Sequence, residues 1–198
     1  MTISDDGLRF AAHEIEDSTE SFDASKGYCA IYEYASGSWS QIGRIQSSFY
    51  GTCKLSGNGN AIATVSNTSR DIKVYKYTNS SWVQQGLSMS AEDNSTKILI
   101  NKTGSIIAFN NTSYYGSGSS YCNNNNTGDA SLDGKVSVYE YKDDAWSIKG
   151  NEISGPFGIC WVGIADINED GDKVLISGYG DYEGILDPDG EQMKIHKT

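Results

Sequence analysis

One phrase is written three times in this chain: IYEYASGSWSQIG from Ile31, VYKYTNSSWVQQG from Val74 and VYEYKDDAWSIKG from Val138. Self-similarity at a spacing of tens of residues means that one supersecondary unit is built repeatedly and stacked on itself, which removes most other folds from consideration. Within a copy the residues alternate. Ile72, Val74 and Lys76 point one way and Lys73, Tyr75 and Tyr77 the other, and Val136 and Val138 alternate with Tyr139 and Tyr141 in the later copy. A period of two predicts a strand. The polar segments ASGS, TNSS and KDDA follow, and then Trp39, Trp82 and Trp146 each stand four residues before a glycine, Gly43, Gly86 or Gly150. That spacing predicts a second strand returning through a hairpin.

A different hairpin precedes each of these units. TISDDGLRFAA, CKLSGNGNAIATV, ILINKTGSIIAF and IADINEDGDKVLI place apolar alternation on both sides of a tight turn that ends in Gly7, Gly59, Gly104 or Gly171. Glycine supplies the positive φ that such turns demand. Two hairpins per unit make a four-stranded antiparallel meander, with strands A to D. Repeats of roughly 40 to 60 residues with four strands and recurrent aromatics are blades, so the fold class is an all-β propeller. The expected organisation is a single propeller domain or propeller fragment. Three complete blades cover residues 2–45, 51–88 and 97–153; a fourth, over 160–198, lacks its outer strand because MKIHKT aligns with CAIYEY as strand C. A bare sheet edge is a template for pairing, so a protein partner or further copies of the chain are expected to complete it. Blades bury their faces only against each other. Trp39, Trp82, Trp146, Tyr75 and Tyr139 are therefore assigned to contacts between blades, with a sugar-stacking platform as the competing use of the same rings.

The hairpin of LSxDG type followed by VxVYEYxxxxWxxxG resembles the FG-GAP-like, integrin-alpha-like and WD-like propeller repeats of surface and secreted proteins. Tyr50-Gly51 and Phe157-Gly158 stand where that family has its Phe-Gly pair. The resemblance implies an extracellular or surface setting and says little about activity, because propellers host adhesion, scaffolding and many enzymes.

Charge and short motifs narrow the setting. The net charge of −11, from 26 acidic against 15 basic residues, argues against nucleic acid, whose backbone is held by lysine and arginine. No apolar run approaches the roughly 18 residues that suggest a membrane span, so no membrane insertion is expected. Met1-Thr2-Ile3-Ser4-Asp5 has neither the basic nor the apolar region of a signal peptide, which a secreted protein would have lost or would carry outside this chain. Seven Asn-x-Ser/Thr sequons, at Asn67, Asn79, Asn94, Asn101, Asn110, Asn111 and Asn125, favour a secreted or cell-surface glycoprotein, although polar turns use the same residues. Cys29, Cys53, Cys122 and Cys160 form no CxxC pair, and their even number permits two disulfides. Cys122 and Cys160 are the favoured pair, while Cys29, at the place of Ile72 and Val136, reads equally as a buried thiol.

The long connections at 14–27, 111–134 and 178–192 all join strand B to strand C and so share one face, the expected binding face. One segment has metal character. Asp166, Asn168 and Asp170 in DINEDGD are spaced as alternate oxygen ligands, with Asp172 beyond them, and the loop resembles the calcium loop of FG-GAP blades. Val174 stands where an acidic ninth ligand belongs, and an ordinary tight turn is the favoured reading. Calcium is the one cofactor the sequence raises. No catalytic motif stands out: His13 and His196 are the only histidines, and no G-x-S-x-G elbow or phosphate loop occurs. The expected function is a non-catalytic extracellular propeller for adhesion, surface scaffolding or assembly. The alternative is a carbohydrate-binding or carbohydrate-cleaving propeller, with glycans as partners on the B-to-C face, since a glycosidase needs only two carboxylates.

Overall fold

A computed structural model describes residues 1–15, 27–47, 51–66, 69–91, 97–111, 135–154, 162–178, 183–186 and 195–196. They are all strand and turn. Blade one contains β1 (Thr2–Ile3), β2 (Arg9–Ile15), β3 (Gly27–Ala35) and β4 (Ser38–Ser47). Blade two contains β5 (Thr52–Leu55), β6 (Ala61–Val65), β7 (Asp71–Thr78) and β8 (Ser81–Gln84), with β9 (Met89–Ser90) also on β7. Blade three repeats this with β10 (Ile98–Ile100), β11 (Ile106–Asn111), β12 (Lys135–Lys142) and β13 (Ala145–Ile148), and β14 (Ile153–Ser154) returns to β12. Blade four contains β15 (Val162–Ile167), β16 (Val174–Gly178), β17 (Glu183–Leu186) and β18 (Ile195–His196). Every blade is an antiparallel meander in chain order.

The fourth blade differs from the sequence expectation. Its third strand is EGIL, with Val174 opposite Leu186 and Ser177 opposite Glu183. Ile195 and His196, expected in third place, pair with Gly184 and Glu183 as a short fourth strand. A short connection closes at less entropic cost than a long one, so EGIL takes the edge of β16 and moves the later segment one place outward. That outer strand has only two residues, and no tryptophan follows Trp161 in the chain.

The hairpins explain why these segments form strands where they do. In blades one to three the C-to-D turn has two central residues at positive φ: Ser36 (53°) and Gly37 (86°), Asn79 (51°) and Ser80 (61°), and Asp143 (51°) and Asp144 (62°). Such turns match the right-handed twist of the strands they join. The core lies between blades. Ala11, Cys29, Ile31 and Ile45 of blade one meet Leu55 and Ile62 of blade two. Ala63, Val65, Ile72 and Val74 of blade two meet Ile98, Ile100, Ile107 and Phe109 of blade three. Val136, Val138 and Ala108 then meet Ile164, Val174 and Ile176 of blade four.

Candidate functional site

The A-to-B turns are built by one recipe. Ser4, Ser56, Asn101 and Asn168 open them, and each side-chain oxygen accepts the N–H of the residue five places on: Arg9 at 3.0 Å, Ala61 at 2.9 Å, Ile106 at 2.9 Å and Lys173 at 2.8 Å. Ser4 Oγ also donates to Asp6 Oδ1 at 2.7 Å, and Leu8 N donates to the same oxygen at 2.9 Å. These bonds hold the Asp6 carboxyl below its ordinary range. The first strands of successive blades adjoin, so the turns cluster at the inner edge.

There the turns are tied to each other. Asp5 N donates to Gly57 O at 2.8 Å, Asn58 N to Lys102 O at 3.0 Å and Lys102 N to Glu169 O at 3.3 Å. Lys102 Nζ lies 3.0 Å from Glu169 Oε2 and 3.9 Å from Asp5 Oδ2, so one ammonium reaches from blade three to blades four and one. Its hydrogen bond to Glu169 pulls its pKa upward. A Cβ on Gly57 would stand 2.5 Å from Asp5 Oδ2, which is why blade two contributes a glycine there. These solvent-facing pairs align turns, and each adds little to stability.

A second polar joint lies further out. Arg9 Nε donates to Glu33 Oε1 at 2.8 Å, and Nη1 donates to Gly59 O at 3.1 Å and Asn60 Oδ1 at 2.6 Å. Its guanidinium also lies 4.6 Å from the Tyr77 ring centre, so one side chain clamps blade one to blade two. Nothing in the sequence says which blade Arg9 meets.

Each blade presents an incoming face to its predecessor. In blade two this face is Leu55, Ile62, Tyr75 and Trp82, packed on blade one; in blade three it includes Ile100, Ile107, Tyr139 and Trp146, packed on blade two. Trp82 lies against Gly43 on the outer strand of blade one, and Trp146 against Gly86 just past the outer strand of blade two. Trp146 Nε1 also donates to Gln85 O at 2.7 Å. Strand register puts Ile3, Phe10, Tyr32 and Trp39 in the same places on blade one. Phe10 stacks on Tyr32 at 4.8 Å and meets Trp39 edge-on at 4.9 Å, yet Trp39 is 46% exposed and Ile3 60% exposed. Glu14 on this face is satisfied by the hydroxyls of Tyr28 at 2.8 Å and Tyr32 at 3.1 Å.

The remaining sequence candidates separate. In DINEDGD, Asn168 closes its own turn and donates to Asp172 Oδ1, while Asp166 Oδ1 accepts from Ile167 N at 2.9 Å. The Asn168 bond lowers the pKa of Asp172. Among the described residues no three metal-binding side chains converge, and Asp170 joins no cluster. Asn101 and Asn110 depart from the sequon expectation: they are 2% and 3% exposed and hydrogen-bonded, Asn101 to its turn and Asn110 to Lys97 N at 2.6 Å. A glycan on either would have to displace packed core. Asn79 is exposed at a hairpin tip, and Asn111 ends β11 opposite Lys135. Cys29 and Cys53 also depart from the disulfide expectation, since both stand as thiols, Cys29 fully buried in the first interblade core with Cys53 packed beside it. Their mutual hydrogen bond raises Cys29, as does burial, and lowers Cys53. Asn67, Asn94, Asn125, Cys122, Cys160 and most of the B-to-C connections lie outside the described residues.

No protein-family model and no curated protein sequence matches the chain. Solved structures do. TolB from Acinetobacter baumannii is 12% identical with a TM-score of 0.55, over 99% of this chain and 42% of that one. Sqt1 of Saccharomyces cerevisiae is 13% identical with a TM-score of 0.53, over 84% of this chain and 40% of that one. The β-propeller domain of the trilobed protease from Pyrococcus furiosus, described as having an open velcro topology, is 10% identical with a TM-score of 0.55, over 98% of this chain and 55% of that one. The chain thus spans about half the length of the structures it resembles, and what the likeness shows is a β-propeller fold with part of the blades of a full ring.

Proposed function

We propose that this chain is a non-catalytic extracellular β-propeller that works by surface contact, in adhesion, surface scaffolding or assembly, as FG-GAP-like repeats do. The observation that carries the reading is the aromatic incoming face of blade one, with Trp39 46% exposed in a position that is covered in blades two and three. Large exposed apolar patches on a soluble fold mark interaction surfaces. Arg9 and Lys102 are occupied in joining blades, and Asp6 in closing its own turn. The sequons support a secretory or cell-surface setting, with Asn79 placed at an exposed tip. A glycan array run beside a glycoside hydrolase and lyase panel tests the reading: no turnover is expected. Specific turnover that disappears when one carboxylate is replaced would overturn it in favour of a carbohydrate-cleaving propeller.

A further inference from the structure

We infer that Cys29 and Cys53 form an oxidation site, at which a two-electron oxidant of the peroxide class joins them in a reversible disulfide that fastens blade one to blade two. This goes beyond the contact reading above and does not depend on it.

The internal repeat shows what sets the pair apart. In the second interblade core, the third strand of blade two presents Ile72, opposite Val65, and the first strand of blade three presents Ile98, opposite Phe109. Register puts Cys29, opposite His13, and Cys53, opposite Thr64, in the same two places of the first core. Two aliphatic side chains fill this place in the second joint, so packing does not require sulfur on both sides of the first. What distinguishes a cysteine from an aliphatic residue is its reactivity.

The pair is arranged to react in one order. The sulfurs share a hydrogen bond in which Cys29 donates, so negative charge is favoured on Cys53. Cys29 is fully buried and Cys53 only partly, so a small oxidant reaches Cys53 first. The Cys53 thiolate attacks one peroxide oxygen, the O–O bond breaks, and hydroxide leaves with the proton that the Cys53 thiol gave up, as water; Cys53 becomes a sulfenic acid. The Cys29 sulfur then attacks the Cys53 sulfur, and its S–H proton goes to the departing hydroxyl, which leaves as a second water. The two thiols lose two electrons and two protons, and the peroxide is reduced to two waters. The product is neutral and suits an apolar joint. A thiophilic metal ion, the other ligand class for two cysteines, would need both sulfurs as thiolates, and at Cys29 the hydrogen bond to Cys53 and burial both oppose that. Once formed, the disulfide closes a loop across the joint, so the two blades cannot part without breaking a covalent bond.

Peroxide titration of the folded 198-residue chain tests this, with N-ethylmaleimide to block the remaining thiols and trypsin digestion without reduction. Arg44 lies between the two cysteines, so the disulfide would hold peptide 27–44 to peptide 45–54. That linked pair, lighter by about 2 Da than its separate peptides, is expected as the main oxidised product and should be lost on adding dithiothreitol. In Cys29→Ala, dimedone should trap a sulfenic acid on Cys53. In Cys53→Ala, Cys29 should stay reduced at the same peroxide dose. The unsubstituted chain decides the matter by itself if either variant fails to fold. Four outcomes there would overturn the inference: Cys53 carried to sulfinic acid without a cross-link, pairing of either thiol with Cys122 or Cys160 instead, a cross-link that forms only after denaturation, or two thiols that peroxide leaves free. Silver(I) held by the pair in a chain that peroxide does not cross-link would overturn it in favour of a metal site.

Discussion

The indole of Trp82 occupies the space that a side chain at Gly43 would need: a Cβ there would overlap Cδ1 and Nε1 and come within 3.1 Å of Ile31 Cδ1. Blade two is seated on blade one by that missing methyl. Gly43→Ala should cost about 1 to 3 kcal/mol in urea unfolding through overpacking. A double variant with Trp82→Leu should recover part of the loss, whereas purely additive costs would mean that the two residues do not compete for the same volume.

The two seated tryptophans are not equivalent. Trp146 Nε1 donates to Gln85 O at 2.7 Å, while Trp82 Nε1 is buried without a hydrogen-bond partner among the described residues. Trp146→Phe should therefore destabilise by about 1 kcal/mol more than Trp82→Phe, the usual net worth of a hydrogen bond. Equal losses in parallel denaturation curves would contradict this.

Acid should loosen the turns at the inner edge. Asp6, bonded by Ser4 and Leu8, and Asp172, bonded by Asn168, both titrate below the ordinary 3.8 in the folded chain. A carboxyl depressed by folding contributes stability that is present above its unfolded value and lost as pH falls through the folded value. Stability should thus decline below about pH 3.8, and Asp6→Asn with Asp172→Asn should flatten that acid limb by removing the same contribution at neutral pH, with little change at the acid end. A limb unchanged in the double variant would assign it to other groups.

The thiol pair should react in order. Cys29 is fully buried and its pKa is raised by its hydrogen bond to Cys53 and by burial, whereas the same hydrogen bond lowers Cys53. Thiolate is the nucleophile. Timed alkylation with peptide mapping should label Cys53 first and Cys29 only after denaturant is added; simultaneous labelling in native buffer would refute the assignment.

Glycan occupancy should follow burial. In material from a eukaryotic secretory route, the peptide holding Asn79 is expected to carry hexose and those holding Asn101 and Asn110 to be unmodified. Glycan on Asn101 in folded protein would be incompatible with its position inside the turn, where Ser105 N and Ile106 N both bond its Oδ1 at 3.0 and 2.9 Å.

Much of the fold is legible because its signals are local. Alternation such as that of Ile72 to Tyr77 is set by strand geometry, and Gly59 or Gly104 marks a turn through backbone sterics alone. The fourth blade is less legible, because apolar alternation in MKIHKT resembles a third strand and cannot reveal that EGIL, closer along the chain, pairs first. Contacts between blades were less accessible. The spacing from Trp39 to Gly43 is visible within one copy, but the contact runs from Trp82 to Gly43, between copies. Two of the seven sequons have a structural use that the motif does not show: Asn101, which opens the turn in NKTG, and Asn110, next to the end of β11, satisfy the motif while their side chains serve the backbone.

The line of main-chain bonds from Asp5 to Gly57, from Asn58 to Lys102 and from Lys102 to Glu169 gives the molecule one conservative end and one permissive end. At the tied end, lengthening a turn by a single residue would break bonds to a neighbouring blade as well as its own hairpin, so insertions there should be eliminated by selection. The opposite end carries connections of very unequal size, from 66–70 between β6 and β7 to 112–134 between β11 and β12. New peptide, new specificity or an engineered tag can therefore be accommodated at that end without disturbing how the blades are assembled.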